Sequence, residues 1–116
     1  MDLPKLKNNY YLVYIQDVPN SQRSKHEEEH MHQNLPLIQN GYIKVGGALL
    51  PPDGKSTDAD ALNELVGSFM IVQADSAEAV WELLKKDAYY TSGEVWDHNK
   101  IFVTPAYVAT TEVKFE

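Results

Sequence analysis

The histidines and carboxylates of this sequence are the residues best suited to chemistry, and several of them cluster. His26-Glu27-Glu28-Glu29-His30 reproduces the H-E-x-x-H spacing of zinc protease helices. Imidazoles at i and i+4 point to one side of a helix, as a shared metal requires. The surroundings argue against a metal. A helix holding such a site is normally buried, and this segment is strongly polar. The third ligand would have to be His98 or a carboxylate, and no pattern supports either. The segment therefore reads as a solvated acidic helix face, with no metal and no cofactor expected.

His30-Met31-His32 carries a second possibility. His30 lies at the edge of an apolar stripe, where an imidazole can point into a cleft. A carboxylate partner would fix its tautomer and raise its basicity. Asp87 is the best candidate, because it ends a helix just before the aromatic pair Tyr89-Tyr90; its plainer role is that of a turn former. Tyr89, Trp96, Tyr90 and Tyr107 can line an apolar pocket or serve as core. Tyr14 and Ser68 are assigned to the same pocket wall as Tyr89 and Trp96. There is no Gly-rich phosphate loop, no G-x-S-x-G and no dinucleotide fingerprint.

The elements that must position these residues follow from periodicity. Residues 10–16 are β-branched and aromatic and read as a strand, closed by Asp17-Val18-Pro19-Asn20. Residues 21–40 read as a helix, capped by Ser21 or Ser24 with Glu27 in reciprocal position. Met31, Leu35 and Ile38 form its apolar stripe, Pro36 predicts a kink or irregular turn, and Asn40-Gly41 ends it. Residues 42–49 are a second strand and 50–64 a long polar loop, of a length that is often functional. Residues 65–74 form a nearly all-apolar third strand, hence a central one. Asp75, with Glu78, caps a second helix that buries Ala77, Val80, Trp81 and Leu84 and ends near Lys85-Lys86. Residues 87–93 read as a loop and 99–108 as the last strand. Residues 1–9 read as a short flexible lead, and 10–116 as a single domain.

The order is β-α-β-β-α-β, an α+β ferredoxin-like arrangement with an antiparallel sheet. Its helices cover one sheet face. Apolar residues on both faces of the third strand call for a second cover, so a homodimer is expected. The chain has 116 residues, no cysteine, and 17 acidic against 10 basic residues for a net charge of −7. Disulfides, thiol chemistry and Cys-based zinc sites are excluded. Nucleic acid and anionic membrane are unexpected partners without a basic patch, and the sheet lacks the aromatic pattern of an RNA-binding relative of this topology. With no signal-like N-terminus and no apolar run of membrane-spanning length, the cytoplasm is the expected location.

The order and spacing of several motifs resemble the YciI-like (YCII-related) family over residues 10–107. They are the Tyr-rich first strand ending in Gln16-Asp17 and followed by Pro19-Asn20, then His30-Met31, Gly41 and Val45-Gly46-Gly47. Val66-Gly67-Ser68-Phe69-Met70-Ile71-Val72 follows, then Ala74-Asp75-Ser76-Ala77-Glu78-Ala79, Asp87-Ala88-Tyr89, Gly93 with Val95-Trp96, and Phe102-Val103-Thr104-Pro105-Ala106-Tyr107. The resemblance implies a dimeric α/β-barrel of ferredoxin-like protomers paired through their sheets. It also implies a histidine/aspartate centre in a cleft, carried here by His30 and Asp87, with His26 and His32 as competitors. Some relatives eliminate hydrogen halide from chlorinated lactones. The chain departs from the family pattern at Asp87-Ala88, where Asp-Pro is usual, and at Gly47-Ala48, where Gly-Pro is usual. The arginine that usually precedes the histidine has no counterpart at that spacing, and Arg23 lies too far upstream to stand in without a shift.

Two functions compete. One is an enzyme in which His30, oriented by Asp87, moves protons in an elimination or isomerisation of a small apolar or cyclic carbonyl compound. The other is a non-catalytic small-molecule-binding or accessory protein, favoured by the missing arginine. For the histidine motif the expectation is sharper. Elemental analysis of chelator-free protein should find no stoichiometric zinc; one tightly held zinc per chain would overturn the reading of His26 and His30.

Overall fold

The computed structural model describes residues 2–116. Its elements are β1 (Tyr10–Asp17), α1 (Arg23–Gln39), β2 (Ile43–Leu49), β3 (Gly67–Gln73), α2 (Ala77–Leu84), a short α3 (Ala88–Thr91) and β4 (Trp96–Ala106). A single 3-10 turn, Ala61–Asn63, interrupts the long loop between β2 and β3. The four strands lie in the order β2-β3-β1-β4, and every neighbouring pair is antiparallel. This is the ferredoxin-like sheet, with two βαβ crossovers interleaved so that each spans an antiparallel strand. β3 is central, as its apolar run requires.

Alternation along β1 divides the sheet into two faces. Tyr11, Val13 and Ile15 are buried under the helices, together with Met70 and Val72 of β3, Ile101 of β4, and Val80 and Leu84 of α2. Tyr14 and Phe102, paired across β1 and β4, lie on the opposite, open face. The β1–β4 register shifts between Ile15 and Asp17, so Asp17 pairs with Trp96. That irregularity sits at the sheet end where α1 begins; its extra residues lie on β4, while Asp17, two past Ile15, keeps to the helix-covered side by alternation.

Several local expectations are corrected. The stripe Met31-Leu35-Ile38 does not face the core; each of the three is about half exposed, at 48, 49 and 48%. The face of α1 turned to the sheet carries His30, Asn34 and Leu37 instead, and Asn34 is buried. A polar helix face can be buried when its groups find partners, and here they do. Neither Ser21 nor Ser24 caps α1. Gln22 occupies that position without a side-chain cap, and its N–H donates to the carbonyl of Glu94 at 2.9 Å. The helix runs through Pro36 to Gln39, and Gly41 leaves it at φ +84°, a backbone that favours glycine. Ser76, not Asp75, caps α2 by accepting from Ala79 N at 3.2 Å. Residues 88–91, expected as loop, form α3, and β4 starts at Trp96, earlier than read from sequence.

Gly67 marks a close approach at the start of β3. A Cβ there would press on the carbonyl oxygen of Ile15 and lie 2.7 Å from Leu49 Cδ1. Gly67→Ala is expected to cost about 1–3 kcal/mol through strand displacement, read as a lower urea midpoint at unchanged m-value. An unchanged midpoint would contradict this packing.

Candidate active site

The site forms where α1, the end of α2, α3 and the helix-covered sheet face meet. His30 and Asn34 stand one turn apart on the inner side of α1. Asp87 sits between α2 and α3, and its side chain is 7% exposed. As N-cap of α3 it accepts from Tyr89 N at 2.8 Å through Oδ1. His30 Nδ1 approaches the same carboxylate at 2.7 Å (Oδ1) and 2.9 Å (Oδ2). Asn34 Nδ2 donates to Oδ2 at 2.7 Å and to the carbonyl of His30 at 2.8 Å. Gln33 braces the junction, accepting from Ala88 N and donating to the Lys86 carbonyl.

These contacts favour one tautomer of a neutral His30. Both hydrogens of the Asn34 amide are used by the carboxylate and the carbonyl. Nδ1 faces both Asp87 oxygens, with Asn34 Nδ2 a further 3.2 Å away, so in the neutral ring the hydrogen belongs on Nδ1 and the lone pair on Nε2. Turning the Asn34 amide over would set its oxygen against two other oxygens. The ring itself is clamped by aromatics. It stacks on Tyr89 at 3.7 Å between centroids and meets the edge of Trp96 at 6.0 Å.

A second polar group lies two turns earlier on α1. Arg23 holds Asp17 in a two-point pair, Nε to Oδ2 at 2.5 Å and Nη2 to Oδ1 at 3.1 Å. The Arg23 and Asp17 side chains are 15% and 4% exposed. Nη2 also donates to Ser68 Oγ at 2.8 Å, and Trp96 Nε1 donates to the same oxygen at 3.1 Å. The guanidinium lies 5.1 Å from the centre of the Tyr89 ring. Among the described residues, Arg23 Nη1 has no hydrogen-bond partner. Burial raises the Tyr89 pKa above the ordinary tyrosine value; Arg23 opposes that shift, while Glu27, Asp87 and Asp17 add to it. The phenol is neutral at physiological pH.

Arg23, His30, Ser68 and Tyr89 line one cleft of about 400 Å³, together with Glu27 and Asn34. Its remaining wall is largely apolar, with Met31, Ile38, Leu65, Phe69 and Met70. The volume falls in the range of small-molecule sites. Of the residues assigned from sequence, His30, Tyr89 and Ser68 line the cleft, and Asp87 holds His30 from behind its wall. Trp96 is 1% exposed and supports the cleft from behind rather than lining it. Tyr14 does not join, because strand alternation puts it on the open sheet face, tilted against Phe102 at 6.1 Å. His26 turns to Glu94 at 3.0 Å, and that hydrogen bond, followed by Lys25, lowers the Glu94 pKa. His98 stacks on Tyr90 and meets its carbonyl. Among the described residues no three His, Asp or Glu side chains converge on a metal position.

Arg23, Asp17 and Asn34 were missed by sequence reasoning. The signal was present: Arg23, His30, Asn34 and Leu37 repeat at intervals of seven, four and three, which is one helix face. Arg23 is thus not too far upstream of His30. Two turns of helix bring it to the same cleft.

Fold and site together define a ferredoxin-like α+β domain with a histidine–carboxylate pair at the wall of a cleft. Residues 9–102 match the YCII-related domain, and the chain belongs to that family. It is 31% identical over 97 residues to Fusaric acid biosynthesis protein 2 of Gibberella fujikuroi, covering 82% of this chain and 89% of that protein. It is also 31% identical over 101 residues to Aspartate kinase FUB3 of Fusarium oxysporum f. sp. lycopersici, but covers 85% of this chain and only 18% of that protein. The fold is similar to 5-chloro-2-hydroxyhydroquinone dehydrochlorinase (TftG) from Burkholderia phenoliruptrix AC1100, whose structure is a complex with 2,5-dihydroxybenzoquinone. That match has a TM-score of 0.68 and 28% identity, over 82% of this chain and 90% of the other. Among the described residues no helix is long and apolar enough to cross a membrane.

Asp17→Asn tests the buried ion pair. It leaves the Arg23 charge without its counter-ion and is expected to destabilise the fold by about 3 kcal/mol in chemical denaturation. Stability equal to that of the parent would show that the pair does not hold this end of the sheet together.

Proposed function

We propose that this protein is an enzyme that moves protons on a small cyclic carbonyl or hydroxylated ring compound, in an elimination or isomerisation. The observation that carries the reading is the Asp87–His30 contact, which leaves an imidazole nitrogen bare beside the cleft. His30 Nε2 takes a proton from a carbon next to a carbonyl. The C–H electron pair becomes a C=C bond. In an elimination the leaving group departs from the neighbouring carbon with its own electron pair. In an isomerisation the electrons shift through the carbonyl, and His30 returns the proton at another carbon. Asp87 acts as a positioning residue that stabilises the imidazolium formed on the way.

Charge that develops on the substrate oxygen needs a donor. Arg23 and Lys44 are the cations lining the cleft, and the mostly buried Arg23 keeps its Nη1 uncommitted. Its pairing with Asp17 fixes the guanidinium in advance, so little reorganisation is needed as charge builds. The non-catalytic alternative draws its support from an arginine missing at the family's spacing; Arg23, two turns before His30 and on the same cleft, favours the enzyme reading. The apolar wall suits a ring, and the similar TftG structure is that of a dehydrochlorinase in complex with a ring dione. Ala88 and Ala48 replace two prolines of the family pattern, yet Ala88 N is used by Gln33 and Ala48 pairs with Ser68 in the β2–β3 ladder.

Visible-absorbance titration with 2,5-dihydroxybenzoquinone tests binding, and chloride release from chlorinated hydroxyhydroquinones tests turnover. The parent should bind saturably. His30→Gln should lower turnover by about 10²–10⁴-fold with a much smaller change in binding. Arg23→Ala should weaken binding and turnover together. Saturable binding with no turnover on any ring substrate would favour the accessory role, and no binding at all would remove this substrate class.

The proposal includes a second copy of the chain, joined through the open sheet face. Leu12, Tyr14 and Phe102 on that face are 40, 39 and 55% exposed, an apolar surface with no helix to cover it. Light scattering at micromolar concentration should report twice the chain mass. A clean monomer would sink the dimeric barrel.

A further inference from the structure

The phenolic hydroxyl of Tyr89 has no part in the proton transfer described above. The residue is 3% exposed and lines the cleft with Arg23 and His30. Its position is fixed on three sides. Its N–H donates to Asp87 Oδ1 at 2.8 Å, its ring stacks on His30 at 3.7 Å between centroids, and the Trp96 ring meets it edge-on at 5.8 Å. Among the described residues the hydroxyl itself has no hydrogen-bond partner. Glu27, the acid on the cleft wall, acts on it by charge alone. The side-chain oxygens that are sealed from solvent without a partner are those of Ser21 and Tyr42. The Tyr89 oxygen is not one of them, so it keeps contact with the space that Tyr89 lines, the cleft.

A hydroxyl so placed is hydrated in the free protein and exchanges its water for a ligand atom. Burial raises the Tyr89 pKa, against the opposing pull of Arg23, so the phenol keeps its hydrogen at physiological pH and can donate it. Arg23 Nη1 is a second uncommitted donor on the same cleft, and the guanidinium lies 5.1 Å from the centre of the Tyr89 ring. When a carbon next to a carbonyl loses its proton, negative charge moves onto the carbonyl oxygen. Donors already held in place stabilise that charge without reorganising.

We propose that Tyr89 is a further catalytic residue, whose hydroxyl donates a hydrogen bond to the substrate oxygen on which negative charge gathers, alongside Arg23. The hydrogen stays on the phenol throughout, and His30 remains the base. The role rests on the proton-moving reading of the cleft. It narrows the substrate class to rings that place a carbonyl or phenolic oxygen beside the reacting C–H. A ring without such an oxygen displaces the water and leaves the hydroxyl unpaired.

Tyr89→Phe in the full chain keeps the ring that stacks on His30 and removes only the hydroxyl. Chloride release from chlorinated hydroxyhydroquinones should fall about 10²-fold in kcat, the loss typical of one oxyanion donor. Visible-absorbance titration with 4-nitrophenolate, with nitrobenzene as competitor, gives a second readout that needs no turnover. The variant should bind 4-nitrophenolate about tenfold more weakly than the parent and nitrobenzene within twofold. A substitution that merely loosened the site would weaken both. Equal turnover by variant and parent would overturn the role of Tyr89 and leave the proton-moving reading intact. No turnover by the parent, with the tenfold difference in 4-nitrophenolate binding retained, would remove that reading and still support the hydrogen bond from Tyr89. Equal binding of 4-nitrophenolate to both proteins, or none to the parent, would overturn the proposal.

Discussion

The carboxylate of Asp87 has to satisfy donors from two separated parts of the chain while nearly out of contact with water. It accepts the backbone N–H of Tyr89, the ring N–H of His30 and the amide of Asn34. A buried charge with fewer partners would be strongly destabilising. The requirement explains why α1 can turn a polar face to the sheet and leave Met31, Leu35 and Ile38 half exposed. It also explains why α3 begins where it does, which in turn sets Tyr89 under the imidazole. One side chain thus caps a helix, docks another and orients the proposed base. Removing it would disturb packing and chemistry together, so an alanine at this position cannot separate the two.

A second network, Asp17–Arg23–Ser68–Trp96, reaches the same cleft from the sheet end. The two meet at Tyr89, stacked on His30 and close to Arg23. The arrangement sets the His30 ring and the Arg23 guanidinium on one cleft, which in the proposed reaction act as base and pre-positioned cation. Charge separation of that kind favours reactions in which a proton leaves carbon while negative charge gathers on oxygen. The neutral Tyr89 phenol between them adds shape and π-surface without adding charge.

Much of the architecture was legible in the residues. The β-branched and aromatic first strand, the Gly41 stop and the apolar run of β3 each followed from local chemistry that the fold then used. The pairing of His30 with Asp87 was inferred from a resemblance and from position at a helix end; periodicity alone could not choose Asp87 among 17 acidic residues. The face of α1 was misread because apolar content normally marks the buried side, and here hydrogen bonding replaced it. Arg23 was set aside because separation along the chain was weighed instead of separation along a helix. Tyr14 was lost to simple strand parity, since its neighbours Val13 and Ile15 face the helices and it cannot. The Ser76 cap was displaced by one residue, an offset that sequence alone rarely resolves.

The central claim is that Asp87 holds His30 with its proton on Nδ1 and its lone pair on Nε2. Long-range ¹H–¹⁵N correlation spectra of the histidine side chains, recorded where His30 is neutral, test it directly. The account predicts a protonated Nδ1 and a bare Nε2 for His30 in the parent, with that single pattern lost in Asp87→Asn. A neutral His30 protonated on Nε2, or a tautomer mixture indifferent to Asp87→Asn, would contradict it.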